Sequence, residues 1–469
     1  MGRAQHVAFP LLAIGSMAAG SWLFAQDTRT VKEPAIPAVC TTLKAELTSA
    51  SATSGDVEER AYKAGAGQQG LDTIRMQQAL DHCRKREAVE LTSDGANTAF
   101  LVGPLVLRPG VTLLVDKGAT LYASRNPELY AVVPGSCGVV NDDSSIGCHP
   151  LITVKSATGS GIMGDGVVDG QGGVPLVIDG KPSAQSWWDL ADAARSAGRQ
   201  QAPRLIDTDL SDDFTLYRIT LKNSPSTTVA FHRGDGFTVW GIRIDAPKSA
   251  RNTDGIDPSQ SKNITVTQSF IRTGEDHIAI KAGDGPTLNI TLSHNHFYWG
   301  HGLTIGNETN GGISGVRVDD LSLDGSDNGL RIKSDATHGG LVDDVIYHDV
   351  CIRDSKYPIV FDSTYSFPGK AATTLPVFQN ITLSDVRLSG GGRIQFNGFD
   401  NTHRVGVTLD GVSALDAATR YRAQANHTDL TFGAGPVNFV FTGDDSVVNG
   451  KQQVKGSPTP CTAKFVPFP

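Results

Sequence analysis

Four short polar clusters recur along this chain at similar intervals, and their side chains are of the kinds that move protons. They are Asn252-Thr253-Asp254-Gly255, Gly274-Glu275-Asp276-His277, Gly300-His301-Gly302 and Arg331-Ile332-Lys333. Asp254 and Asp276 are 22 residues apart, Asp276 and His301 are 25 apart, and Arg331 follows His301 by 30. Three carboxyl groups gathered within two repeats repel one another, which raises the proton affinity of at least one. A protonated acid beside an ionised base is what hydrolysis of a glycosidic bond requires. An inverting pair stands roughly 6.5–9.5 Å apart to admit a water. Taken singly, each cluster has a plainer reading: Asn/Asp-Gly pairs punctuate turns, a histidine between glycines sits in a turn, and two cations on one strand face are solvated. Recurrence in phase is what joins them.

The elements that must position these clusters are themselves repeated. DFTLYRITL from Asp213, GFTVWGIRI from Gly236, NITVTQSFI from Asn263, NITLSHNHF from Asn289 and GVRVDDLSL from Gly315 share one pattern, continued by DVIYHDVCI from Asp344, NITLSDVRL from Asn380 and GVTLDGVSA from Gly406. Within each, apolar residues alternate, which is strand periodicity. A second short strand follows each, as in HIAIK, LTIG, LRIK and PIVF. No helices intervene, so a βαβ fold does not fit, and the spacing is too long for an up-and-down barrel. Units that cannot bury an apolar face alone must stack, and the expected fold is all-β: a single right-handed parallel β-helix rising about 4.8 Å per coil. The solenoid is expected over residues 101–469, behind a cap region at 26–100 in which LDTIRMQQALDHCRKRE has helical spacing. Residues 173–212 break the period and read as a long loop or short helix. Trp187 and Trp188 within it could stack on a sugar or simply pack, and Asp319-Asp320 reads as surface.

Composition bounds the rest. The 469 residues carry 41 Lys plus Arg against 49 Asp plus Glu, a net charge of −8, which argues against nucleic-acid binding. Apolar residues at 39%, with 52 glycines, argue against disorder and for many tight turns. Arg3 precedes an uncharged run from Val7 to Ala25, interrupted by Pro10, Gly15 and Gly20, so residues 1–25 read as a signal peptide and the mature protein as secreted or periplasmic, the alternative being an uncleaved anchor. No membrane association is expected once that segment is removed. Six cysteines fit such a compartment: Cys137 and Cys148 suit a small loop and Cys40 and Cys83 a staple across a helix. Cys351 and Cys461 are less readable, and fifteen pairings are open. No CxxC pair or His/Cys cluster suggests zinc, and neither metal nor cofactor is expected. A monomer is expected.

At the four clusters the chain resembles glycoside hydrolase family 28, the polygalacturonase family, whose pattern runs NTDG, GDD with a VAIK-like strand, GHG and RIK. Here these read NTDG at 252–255, GEDHIAIK at 274–281, GHGLTIG at 300–306 and RIK at 331–333. The resemblance implies hydrolysis of α-1,4 bonds between galacturonate units of a pectic polysaccharide, with inversion. It places the general acid on Glu275, water activation on Asp254 and Asp276, and support of the acid on His301. Arg331 and Lys333 would bind the galacturonate carboxylate at the cleaved site, joined by Tyr365 and by Asn252 as substrate-binding residues. Glu275 departs from the family's usual aspartate, lengthening the side chain by about 1.5 Å, and His277 stands where a cysteine or asparagine is common. In a regular strand Glu275 and Asp276 would face opposite ways, so a bend is required, which Gly274 would permit. Three other readings compete: a rhamnogalacturonan or substituted-pectin hydrolase, a calcium-dependent pectate lyase of similar fold, and a non-catalytic carbohydrate-binding or adhesin solenoid.

Overall fold

The residue that opens each repeat is a corner. Seven of the eight (Asp213, Gly236, Asn263, Asn289, Gly315, Asp344 and Asn380) have φ between +51° and +95°. Five residues further on, Arg218, Gly241, Gln268, His294, Asp320, Asp349, Asp385 and Gly411 are again left-handed. Gly, Asn and Asp tolerate that region best, which is why they recur while the strands between vary. The corners wrap the chain into coils whose strands pair in parallel with the coils before and after.

The computed structural model describes residues 27–63, 71–141, 147–365 and 374–469. One face of the solenoid is a 12-stranded parallel sheet, and a 20-stranded sheet forms the rest of its wall. In the smaller sheet Ile152–Lys155, Ile206–Asp209, Val229–His232, Ile256–Ser259, Ile278–Ile280, Leu303–Ile305, Asn328–Lys333, Tyr357–Asp362, Gly392–Asn397 and Tyr421–Asn426 follow in chain order. The parallel crossovers take the usual right hand. Register aligns Ile278, Leu303, Leu330, Ile359 and Ile394 in one inward ladder, all buried. Alternation therefore turns Thr304, Arg331, Gln395 and their row outward on the same face.

Differences from expectation lie at the ends. The ladder begins upstream of residue 101: Ala38–Lys44 pairs with Glu87–Thr92, which pairs with Val111–Val115. As the terminal strand, Ala38–Lys44 is largely exposed, so its sequence carries no clean apolar alternation. The expected cap helix forms at Thr73–His82 and buries Met76, Ala79 and Leu80 in the main core, while Ser49–Ser54 and Asp56–Lys63 set Ala52, Val57 and Ala61 against Ala99 and Leu101. All three disulfides form, Cys40–Cys83, Cys137–Cys148 and Cys351–Cys461. The period-breaking segment holds the helix Trp187–Ala197, with Trp187 fully buried edge-on to Tyr130 and Trp188 donating to the Ser224 carbonyl at 2.9 Å. Both tryptophans pack. The segment 1–25, read as a signal peptide, lies outside the described residues, among which no helix is long and apolar enough to cross a membrane.

Candidate active site

Asp254, Glu275, Asp276 and His301 occupy the turns that lead into three successive strands of the 12-stranded sheet, so stacking of coils brings them together as their spacing implies. The chain bends rather than extends through Gly274–His277. A Cβ at Gly274 would drive into the Ala250 backbone, so this glycine serves a close approach between coils and not a left-handed φ. Thr253, fully buried, ties the same two turns, donating to the Ala250 carbonyl at 2.6 Å and accepting the Gly274 N–H at 3.0 Å. The bend turns both carboxylates to one side: Glu275, Asp276 and His301 each place a donor atom within 4.8 Å of the others. Such a trio could hold a cation, but here side chains of this protein already supply the positive charge.

Glu275 accepts from His301 Nδ1 at 2.7 Å, and His301 Nε2 stands 3.8 Å from Asp327, which Lys248 meets at 3.0 Å. The bond to Glu275 raises the His301 pKa and outweighs its partial burial. Asp276 is buried and accepts from Thr304 Oγ1 at 2.6 Å and Lys333 Nζ at 3.1 Å, with Arg331 at 3.7 Å. Burial would push its pKa up, but Lys333, Arg331 and the threonine hydroxyl hold it below the ordinary value. The two cations expected on substrate are thus paired with Asp276. Tyr365 lies beneath both, with Arg331 at 5.2 Å and Lys333 at 5.5 Å from its ring centroid.

Asp254 is treated oppositely. Burial, then the neighbouring Asp257, raise its pKa well above the usual carboxylate range, against the pull of Lys281 at 3.7 Å. Asp257 is raised too by burial, though Lys281 sits 2.7 Å from it. Burial and Asp257 therefore bias one carboxyl of the cluster toward the protonated form, while Lys333 and Arg331 bias another toward the ionised form. The strongly raised group is Asp254, whereas the sequence put the acid on Glu275. Asn252, at φ +60°, points away toward the period-breaking segment and donates to Gln200 Oε1 at 3.0 Å.

Several participants escaped the sequence reading: Asp257, Lys281, Thr304, Asp327 and Lys248. Alternation after Ile256 and Ile280 marks Asp257 and Lys281 as outward-facing, which is the signal that could have found them. His277 also gains a role. Fully buried and stacked on Phe297 at 4.8 Å, it bonds the Trp299 carbonyl through Nε2 at 2.9 Å and accepts the Gly302 N–H at Nδ1 at 3.1 Å. It thereby fixes both flanks of His301, and burial pulls its pKa down to about 4.

A model of the glycosyl hydrolases family 28 matches residues 129–430. An endo-polygalacturonase of Pectobacterium parmentieri is 43% identical over 409 residues, covering 87% of this chain and 94% of its own. A polygalacturonase of Ralstonia nicotianae is 37% identical over 513 residues, covering 98% and 94%. The solved polygalacturonase of Erwinia carotovora ssp. carotovora superposes with a TM-score of 0.70 at 38% identity, over 91% of this chain and 99% of that one. The family 28 exopolygalacturonase of Yersinia enterocolitica, at 22% identity and a TM-score of 0.66, shares the fold.

Proposed function

This chain belongs to glycosyl hydrolases family 28, and from that membership we propose that it hydrolyses the α-1,4 bonds of polygalacturonate with inversion at internal positions, as an exported enzyme. The observation that carries the chemistry is the divided carboxylate cluster, in which Lys333 and Arg331 favour the ionised form of Asp276 while burial and the neighbouring Asp257 favour the protonated form of Asp254. Relatives named as polygalacturonases at 37–43% identity favour homogalacturonan over rhamnogalacturonan. Membership in a hydrolase family argues against the lyase and the adhesin.

In this reading a galacturonate carboxylate draws Arg331 and Lys333 onto itself, with Tyr365 beneath them, and loosens their hold on Asp276. Asp276 then takes a proton from the attacking water, which Asp254 helps to orient. Glu275, sharing a proton with His301, protonates the leaving oxygen. Asn252, bonded to Gln200 and turned away from these groups, takes no part in this step. A second reading makes Asp254 the acid, favoured by its strongly raised pKa.

Incubating purified protein with polygalacturonate in EDTA should release reducing ends with no absorbance from unsaturated product, alongside an early fall in viscosity. Asp276→Asn should lower kcat by about 10³-fold. A galacturonide with an activated leaving group separates the two acids. It should restore turnover to Glu275→Gln and not to Asp254→Asn; rescue of the second variant instead would transfer the acid role to Asp254. Unsaturated product, or polymer left intact, would overturn the hydrolase reading.

A further inference from the structure

Resting on that reading of the cleft, we propose that the outer face of the 12-stranded sheet continues, beyond Arg331 and Lys333, into a second carboxylate-binding stretch. It consists of Lys356 and Arg393, which share the ring of Tyr357, with Arg422 on the next strand, and it grips galacturonates further along the polymer than the one at the cleaved bond.

The strands Asn328–Lys333, Tyr357–Asp362, Gly392–Asn397 and Tyr421–Asn426 are successive neighbours in this sheet. At about 4.8 Å per strand, Arg393 lies about 10 Å and Arg422 about 14 Å along the axis from the strand that bears Arg331 and Lys333. Ile394 and Ala423 point into the core, so Arg393 and Arg422 point out, and both are exposed. Register sets them directly opposite each other. Like charges so placed destabilise a sheet, and this chain avoids that elsewhere on the same face. Arg204 meets Asp207 at 2.7 Å, Arg233 meets Asp209 at 2.6 Å, and Arg331 meets Asp276. Among the described residues Lys356, Arg393 and Arg422 have no carboxylate within 4.0 Å. Lys356 Nζ and the Arg393 guanidinium share the Tyr357 ring, at 5.0 and 5.9 Å from its centroid. The carboxylate on this part of the floor, Asp362, is taken up by Asn397 Nδ2 at 3.0 Å and Thr364 Oγ1 at 2.8 Å.

A row of unneutralised cations, on a protein of net charge −8, lies in line with a site already built for one uronate. A linear polymer with a carboxylate on every sugar matches that row, because each guanidinium can bind a carboxylate through two parallel N–H bonds. An esterified or neutral stretch of polymer offers the row nothing. The stretch makes the enzyme favour substrates that are long and unesterified on this side of the bond.

The test is the double variant Arg393→Gln/Arg422→Gln, compared by the ratio of kcat/KM on hexagalacturonate to that on trigalacturonate. The ratio should fall about 10-fold, mostly through KM, and the position of cleavage on the hexamer should shift. Arg243→Gln, on the other sheet, should leave the ratio alone, and Arg393→Lys/Arg422→Lys should recover part of it. Relief of repulsion predicts a Tm at low salt no lower than wild type; a lower Tm would assign the arginines to the fold and overturn the proposal. A ratio within about twofold of wild type would also overturn it. Hexamer binding, measured in the Asp276→Asn background with and without the two substitutions, reads the stretch without turnover. Equal Kd values would overturn this proposal, whereas a contrast in Kd with no cleavage by wild type would sink only the hydrolase reading.

Discussion

At the scale of residues, the site works by giving chemically similar groups different surroundings. Asp276 is a buried and Asp254 a half-buried carboxylate, yet one faces Lys333 and Arg331 while the other faces Asp257 and shares Lys281. His277 shows the same logic applied to support. Because it must be neutral to accept the Gly302 N–H while donating to the Trp299 carbonyl, protonation breaks the loop that carries His301. Its pKa is lowered in the folded protein, so its stabilising contribution is complete above 6.5 and is lost as pH falls from 6.5 to about 4. That window corresponds to roughly 3 kcal/mol. His277→Asn should therefore shrink the difference in Tm between pH 7 and pH 4.5, and should lower kcat more than it raises KM because His301 is mispositioned. An unchanged acid limb of stability would refute this account.

Among the elements, the C-terminal tail does more than close the solenoid. Cys461 bonds to Cys351, and Lys464 reaches Asp320 and Asp349 at successive coil corners. The Val466 carbonyl accepts from Tyr298 Oη at 2.9 Å, and Phe468 lies 4.0 Å from the Arg272 guanidinium, which pairs with Asp245 at 2.6 Å and stands 4.6 Å from the Trp299 ring. Trp299 directly precedes Gly300 and His301, so the tail braces the outer side of the same loop that His277 holds from within. The disulfide closes a separation of 110 residues, for which chain entropy suggests about 5 kcal/mol. Cys351→Ser/Cys461→Ser should lower stability by about that amount in urea titration. Loss of less than about 1 kcal/mol would show that the remaining contacts hold the tail unaided.

The whole molecule is a stack, and its interior is continuous from coil to coil. Phe361, Phe396 and Phe441 succeed one another with centroids 5.3 and 5.8 Å apart, and Tyr347 joins Phe361 from the opposite wall at 6.2 Å. Phe361 is fully buried directly beneath the floor of the cleft, between Val360 and Asp362. Phe361→Ala should cost about 3–5 kcal/mol, and, because neighbouring coils pack on one another, should also loosen Arg331 and Lys333 one strand away and raise KM for galacturonate oligomers. A large loss of stability with KM unchanged would show that the floor is rigid against such a cavity.

The sequence alone determined the β-helix, its corners and the four clusters, because these depend on short-range chemistry. Alternation is local to a strand, left-handed φ selects Gly, Asn and Asp at Asp213, Asn263 or Asn380, and a shared period puts Asp254, Asp276 and His301 on one side of successive coils. It also identified the residues Arg331, Lys333 and Tyr365 that converge on one point. Tertiary structure alone decided how charge is divided there. Which carboxyl holds a proton more tightly depends on Asp257 and Lys281 near Asp254 and on Lys333 reaching Asp276 across 57 residues of sequence. Burial and through-space Coulomb forces between residues so far apart leave no periodic trace in the chain. The same holds for Cys351 with Cys461 and for Arg393 opposite Arg422, pairs that exist only once the coils have stacked.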